Sequence, residues 1–244
     1  MDWTDRGIAL AARPHGENAL IVTLLTREHG RHAGLVRGGQ GSKRGLYEPG
    51  NVLAVGWRAR LAEHLGSWSC EPLAWTAARL MDDPLRLACL ASACAVAEAA
   101  LPEREPHAGA FDGLLALIES FAGPAWDAAY VRWELGILAE LGFGLDLGRC
   151  AATGSEENLA YVSPRTGRAV SLAAGEAFRD RLLILPGFLI GKGGGGQEEV
   201  AQGLALTGHF LERHALAPHS RPLPPARTRF VDRFAQATTI SGVQ

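Results

Sequence analysis

Seven cationic side chains, Arg27, Arg31, Arg37, Lys43, Arg44, Arg58 and Arg60, fall between Leu24 and Arg60, where only Glu28 and Glu48 oppose them. That segment carries +5 in a chain of net charge -2, so the remainder sums to -7. Phosphate contacts respond to local potential and not to the total, and a basic segment set in an acidic chain points to a nucleic-acid-binding surface. Within it runs Gly38-Gly39-Gln40-Gly41-Ser42-Lys43-Arg44-Gly45. Its glycines let a phosphate approach the backbone, and its Lys and Arg neutralise the charge and release counterions. Trp57 and Trp68 fall on the inward register of their strands, so tracking of the phosphate backbone is expected and not base reading.

Other residue types that do chemistry lack companions. Gly187 to Gly193 has the glycines of a phosphate loop, but Lys192 is followed by Gly193 instead of Ser or Thr, which leaves a flexible linker. His209, His214 and His219 recur every five residues and so point to different faces of a helix, while His29 and His32 have no carboxylate or cysteine at ligand spacing. No Ser-His-Asp elbow, carboxylate pair or HExxH pattern occurs, so neither catalysis nor a cofactor or metal is expected. The cysteines at 70, 89, 94 and 150 show no CxxC spacing and are expected to be reduced, mostly buried thiols of a cytoplasmic protein. Met1 to Gly7 lacks the apolar run of a secretory signal, and the longest apolar stretch, Leu87 to Ala97, falls well short of the roughly 20 residues that cross a bilayer.

The elements that must position the cations are strands. Val52 to Leu61 alternates, with Leu53, Val55, Trp57, Ala59 and Leu61 inward and Arg58 and Arg60 together outward. Ala19 to Thr26 and His32 to Val36 form a hairpin about the Arg27 to Arg31 turn, Gly66 to Glu71 alternates again, and Ile8 to Ala12 supplies a first strand. Five short strands within about 75 residues predict a small closed barrel of the OB type. After Pro72 the period becomes helical, placing a boundary near residue 80: a barrel over 1–80, then a helical domain over 81–244. Helices are predicted over Leu87 to Leu101, Phe111 to Phe121 and Trp126 to Leu141, the last apolar on two lines and enclosed. Residues 150–172 read as an irregular hairpin insertion and Ala174 to Leu185 as helical. Gly191 to Gly196 reads as a mobile linker before a helix carrying Val200, Leu204, Phe210 and Leu211. A short helix around Phe230 and Phe234 precedes a frayed end.

Arg13-Pro14-His15-Gly16-Glu17-Asn18, Leu25-Thr26-Arg27-Glu28-His29-Gly30-Arg31, Val36-Arg37-Gly38-Gly39 with Ser42-Lys43-Arg44, Arg132-Trp133-Glu134-Leu135, Leu141-Gly142-Phe143-Gly144 and Leu147 to Cys150 follow one another along the chain. In these motifs and their order the chain resembles the bacterial RecO family of DNA repair and recombination mediators. The resemblance implies an α+β protein, an OB-fold β-barrel followed by an α-helical domain with a degenerate zinc-ribbon-like hairpin. It implies binding of single- and double-stranded DNA, annealing of complementary strands, and work with RecR to load RecA onto DNA coated by single-stranded DNA-binding protein, without catalytic turnover. It also implies contact with the tail of that coating protein through the helical domain, assigned here to Arg132 for a carboxylate and to Leu135 and Leu138 for the apolar part. Many relatives hold zinc with two cysteine pairs. This sequence keeps only Cys150, with Thr153 at the second position, so the hairpin is expected to rely on packing by Tyr161 and Val170. The rival expectation is an adaptor whose basic barrel binds an acidic protein tail.

Overall fold

The computed structural model describes residues 1–41, 43–217 and 220–241. Ser42 and His219, both singled out in the sequence, lie outside the described residues, as does the end of the tail at 242–244. Period-two alternation builds β1 (Asp2–His15), β2 (Ala19–Thr26), β3 (Gly30–Val36), β4 (Val52–Arg58) and β5 (Ser67–Ala74). They close into a barrel in the order β1-β2-β3-β5-β4, antiparallel throughout except where β3 meets β5. This is the five-stranded OB arrangement that the strand count predicts. Alternate residues Leu20, Val22 and Leu24, Leu53, Val55 and Trp57, and Trp68 fill its interior.

The strand boundaries differ most from expectation in β1 and β4. β1 starts at Asp2 instead of Ile8, because its polar first half pairs with β4 over Asp2↔Arg58 to Ile8↔Val52 before the second half pairs with β2. One strand thus serves two neighbours, and only alternate positions need be apolar. β4 stops at Arg58, so Ala59, Arg60 and Leu61 belong to the following loop, where Leu61 is exposed.

Helices follow: α1 (Thr76–Arg79), α2 (Pro84–Ala100) and α3 (Ala108–Ser120). Asp83 starts α2 by accepting hydrogen bonds from the Leu85 and Arg86 amides, with Pro84 at the first helical position. The helix packs on β1 and β2, and Arg13 reaches Glu98 at 2.6 Å. The change of period near residue 80 marks the end of the barrel, yet the compact unit continues, spanning Met1–Glu119, and a second unit spans Ser120–Gln244.

In the second unit α4 (Trp126–Glu140) is enclosed as expected, with Trp126, Tyr130, Val131, Trp133, Ile137 and Leu138 buried. A three-stranded sheet of order β7-β6-β8 follows, from β6 (Leu159–Val162), β7 (Ala169–Ser171) and β8 (Leu183–Ile184), and Tyr161 pairs with Val170 across it. The helix read over Ala174 to Leu185 is instead a short α5 (Leu172–Gly175), a 3-10 turn over Glu176–Arg181 and β8, because Leu183 and Ile184 complete the sheet beside β6. Gly191 to Gly196, expected as a mobile linker, folds onto Glu199, whose carboxylate accepts from the Gly187 amide at 2.9 Å and the Gly195 amide at 3.0 Å. That carboxylate takes the amides a phosphate would need. α6 (Gln197–Phe210) continues as a π-helical turn over Leu211–Leu216, and α7 (Pro225–Ser241) is longer than the predicted short helix.

One buried ion pair joins these helices. Glu134 on α4 is fully buried and accepts from Arg227 on α7 through both oxygens, at 2.6 and 2.9 Å, from Tyr130 Oη at 2.8 Å, and from Thr207 Oγ1 on α6. Arg227 also donates to the Leu204 carbonyl at 2.8 Å. Burial alone lowers the Arg227 pKa, but the adjoining Glu134 charge reverses that and holds the guanidinium ionised. Removing one partner strands the other charge without solvent. Glu134→Gln is therefore expected to lower the unfolding free energy by about 3–5 kcal/mol in urea denaturation, and a loss under about 1 kcal/mol would show that the pair is not a structural anchor.

Candidate nucleic-acid interface

The seven basic residues divide by what already neutralises them. Arg27 Nε and Nη2 each donate at 3.0 Å to the two oxygens of Asp112, and Nη1 donates to Glu28 at 2.9 Å. These bonds in turn hold the Asp112 carboxyl below the usual carboxylate range. Arg31 is half-buried and its Nε donates to the Leu101 carbonyl at 2.8 Å. Both were expected to face DNA. Arg27 is instead tied to Asp112 on α3, and the Arg31 guanidinium to the end of α2, beside the backbone bridge of Arg31 with Glu103 and the Arg104 amide that donates to the Arg31 carbonyl at 2.8 Å. Gly30 is required at this crossing: its φ is +67°, and a Cβ there would lie 1.8 Å from the Glu105 carbonyl oxygen.

Arg37, Lys43, Arg44, Arg58 and Arg60 differ. All five are exposed, and no carboxylate lies within ion-pairing distance of them among the described residues. Topology gathers Arg37 and Arg58. β3 meets β5 at Leu35↔Ser67, and Ser67 pairs with Arg58 on β4, so Arg37 at the end of β3 and Arg58 at the end of β4 flank the first residue of β5. Strands are spaced by about 4.8 Å, which puts the two backbones about two strand widths apart. The glycine loop leaves β3 after Arg37 and is pinned by Gln40, whose Nε2 donates to the Gly16 and Ala19 carbonyls at 3.0 and 2.8 Å. Lys43 and Arg44 follow on the segment between β3 and β4, where Asn51 Nδ2 donates to the Gly45 carbonyl at 3.0 Å.

Arg60 lies in the loop between β4 and β5, whose shape depends on a residue that no local motif marks. Arg104 sits in the left-handed region at φ 62° and donates from its guanidinium to the Ala62 carbonyl at 2.6 Å and the His64 carbonyl at 2.9 Å. The Met1 amino group holds the Ala59 carbonyl at 2.7 Å, and Trp57 Nε1 holds that of Leu65 at 3.1 Å. Beneath the loop is an aromatic cluster. Trp3 stacks on His29 at 3.8 Å and on Trp57 at 5.7 Å, and His32 meets Trp57 edge-on at 4.7 Å. Neither ring nitrogen of His32 has a hydrogen-bond partner among the described residues.

In the second unit, the residues assigned to a protein tail also separate. Arg132 is exposed, lies over the Phe188 ring at 5.1 Å and donates to the Phe188 carbonyl at 3.2 Å; Leu135 is half-exposed. Leu138 is fully buried and offers no surface, which corrects its assignment. Cys150 is 1 % exposed and its Sγ accepts from the Ser171 amide at 3.2 Å. Burial raises this thiol, while hydrogen bonds from Ser171 and then Thr153 outweigh it and bring it down to about 6. One thiol among hydroxyls is not a structural zinc set, and among the described residues no three His, Cys, Asp or Glu side chains converge as metal ligands. No helix among the described residues is long and apolar enough to cross a membrane.

Comparison with known proteins gives matches along the chain. Residues 1–73 match the family model "Recombination protein O N terminal" and residues 81–222 match "Recombination protein O C terminal". The chain is 61% identical over 246 residues to the DNA repair protein RecO of Rhodospirillum centenum, covering 100% of this chain and 98% of that one. It is 52% identical to the protein of the same name from Rhodospirillum rubrum, over 96% of each chain, and 52% identical to that from Phenylobacterium zucineum, over 97% and 99%.

The cluster beneath the basic loop gives a pH dependence. Burial chiefly, then the charges of Arg104 and His29, push the His32 pKa down to about 4 from 6.5. The unfolded chain therefore binds a proton that the folded one refuses between those values, so stability is full above pH 6.5 and falls as pH drops toward 4. We expect a loss on the order of 3 kcal/mol across that window, absent in His32→Asn, and a His32 ring-proton titration by NMR with its midpoint near 4. A midpoint near 6.5 would mean that the ring is solvated.

Proposed function

This chain belongs to the RecO family and is a DNA repair protein, and from that premise we propose that it is a recombination mediator of the RecF pathway that holds DNA on its barrel. It binds single and double strands by charge, brings complementary strands together for annealing, and with RecR loads RecA onto DNA coated by single-stranded DNA-binding protein. The observation that carries this reading is the set of exposed cations without ion-pair partners, Arg37, Lys43, Arg44, Arg58 and Arg60, on the loop and strand ends of the barrel. Cations free of internal partners can release counterions from phosphate, and Arg27 and Arg31 are already engaged. Annealing needs strands held by their backbones with the base edges open, which a charge-based surface supplies. Such a role forms and breaks no covalent bond in the DNA, and it places the protein in the cytoplasm with the nucleoid.

For the coating protein's tail, α4 remains the proposed docking element, now with Arg132 and Leu135 only. The Arg132 guanidinium meets the carboxylates of an acidic tail, and the half-exposed Leu135 meets its apolar end.

Arg37→Glu/Arg58→Glu is expected to weaken binding of a labelled oligonucleotide whatever its sequence, and to flatten the slope of log affinity against log salt by about 2, one for each phosphate no longer neutralised. Arg27→Ala is expected to leave that slope unchanged. Fluorescence anisotropy from about 50 to 200 mM salt measures both; a double variant with wild-type affinity and slope removes these residues from the interface.

A further inference from the structure

The six tryptophans do not share one environment. Trp3, Trp57 and Trp68 pack together in the barrel, and Trp126 and Trp133 lie against the aromatic rings of the second unit. Trp75 is 47% exposed, and among the described residues no ring or cation covers it. It sits just past β5, beyond the strand whose register turned Trp68 inward. An indole left in water on a protein that handles DNA needs an account.

Its position is set by a buried amide. Asn51 is 1% exposed; its Oδ1 accepts from the Ala77 amide at 3.2 Å and its Nδ2 donates to the Gly45 carbonyl at 3.0 Å. Trp75 precedes Ala77 by two residues and Arg44 immediately precedes Gly45, so the indole and the basic loop hang from the same side chain. Arg79 follows one helical turn after Trp75, its amide donating to the Trp75 carbonyl at 3.3 Å, which sets the two side chains on one face. Arg79 is exposed and without an ion pair among the described residues, and Leu73, 56% exposed, extends the apolar surface.

An exposed indole bordered by cations is the arrangement that takes up an unpaired base. Stacking on the ring tolerates any base, and the cations hold the phosphates on either side. In a duplex the bases stack on one another and offer no open face. We propose that Trp75 is a stacking platform for a base of single-stranded DNA, with Lys43, Arg44 and Arg79 holding the adjoining phosphates. The inference rests on the DNA-binding reading of the barrel and adds to it a site that prefers single strands. It also revises the expectation of pure backbone tracking, which considered only tryptophans inside strands.

The test uses the intact chain and a labelled dT oligonucleotide, read by anisotropy, with intrinsic tryptophan emission as the second signal. Trp75→Ala is expected to bind the single strand about tenfold more weakly with its salt slope unchanged, and to lose most of the quenching of emission that the strand causes. Trp75→Phe should recover most of the affinity, and binding of a blunt duplex should not change. Because the ring is exposed, the alanine variant is expected to keep the wild-type circular dichroism. Wild-type single-strand affinity in Trp75→Ala, while Lys43→Glu/Arg44→Glu still weakens binding, would overturn the platform and leave the DNA-binding reading standing. Self-association that Trp75→Ala abolishes, with strand binding intact, would give the patch to a second copy of the chain. Failure of the unaltered protein to bind either form of DNA would remove both the platform and the reading beneath it.

Discussion

The barrel depends on its shortest seam. β3 and β5 run parallel and touch at a single registered pair, Leu35 with Ser67, where the Leu35 amide donates to the Gly66 carbonyl at 3.0 Å. Every other neighbouring pair of strands is antiparallel and longer. A seam with so few backbone bonds needs side chains to hold it, and Trp68 does so from within: its ring lies against Gly34, where a Cβ would come within 2.6 Å, and its Nε1 donates to the Val22 carbonyl at 3.1 Å. Because this seam closes, the ends of β3 and β4 lie on either side of β5, and charges that are 21 residues apart in sequence, Arg37 and Arg58, flank its first residue.

The same unit shows why a count of charges cannot define an interface. Arg27 and Arg31 lie in the densest part of the basic segment, yet both are already engaged, one by Asp112 on α3 and the other by the Leu101 carbonyl at the end of α2. Arg104 was invisible to that count and shapes the loop that carries Arg60. An arginine that satisfies carbonyls defines shape, whereas one facing water defines potential. Only three-dimensional pairing tells them apart.

What the sequence made legible follows from periodicity. Alternation located four of the five strands to within a few residues and turned Trp57 and Trp68 inward, and the two apolar lines of α4 correctly announced an enclosed helix. What it could not convey are interactions between distant residues. The polar half of β1 gives no apolar signal, because pairing with β4 is made by backbone groups. Gly191 to Gly196 has the composition of a linker, and Glu199 closing on the Gly187 and Gly195 amides, with the Lys192 amide donating to the Gly187 carbonyl at 2.8 Å, makes it a defined loop. Glu134 reads as a surface charge within an apolar helix until Arg227 is found beside it. In each case the deciding partner lies outside any local window.

The Glu134–Arg227 pair spans 93 residues of sequence. A ribosome adding about 5–20 residues per second takes on the order of 5–20 s to cover that interval. For that time α4 exists with a carboxylate destined for a water-free core and no counter-charge yet made. The barrel, whose strand pairs all lie within the first 74 residues, has every one of its partners long before. The chain thus completes its barrel early and seals its helical unit only once Arg227 has been made. A chain not yet translated as far as Arg227 would present the exposed cations of an assembled barrel while its second unit still lacked the cation that closes it.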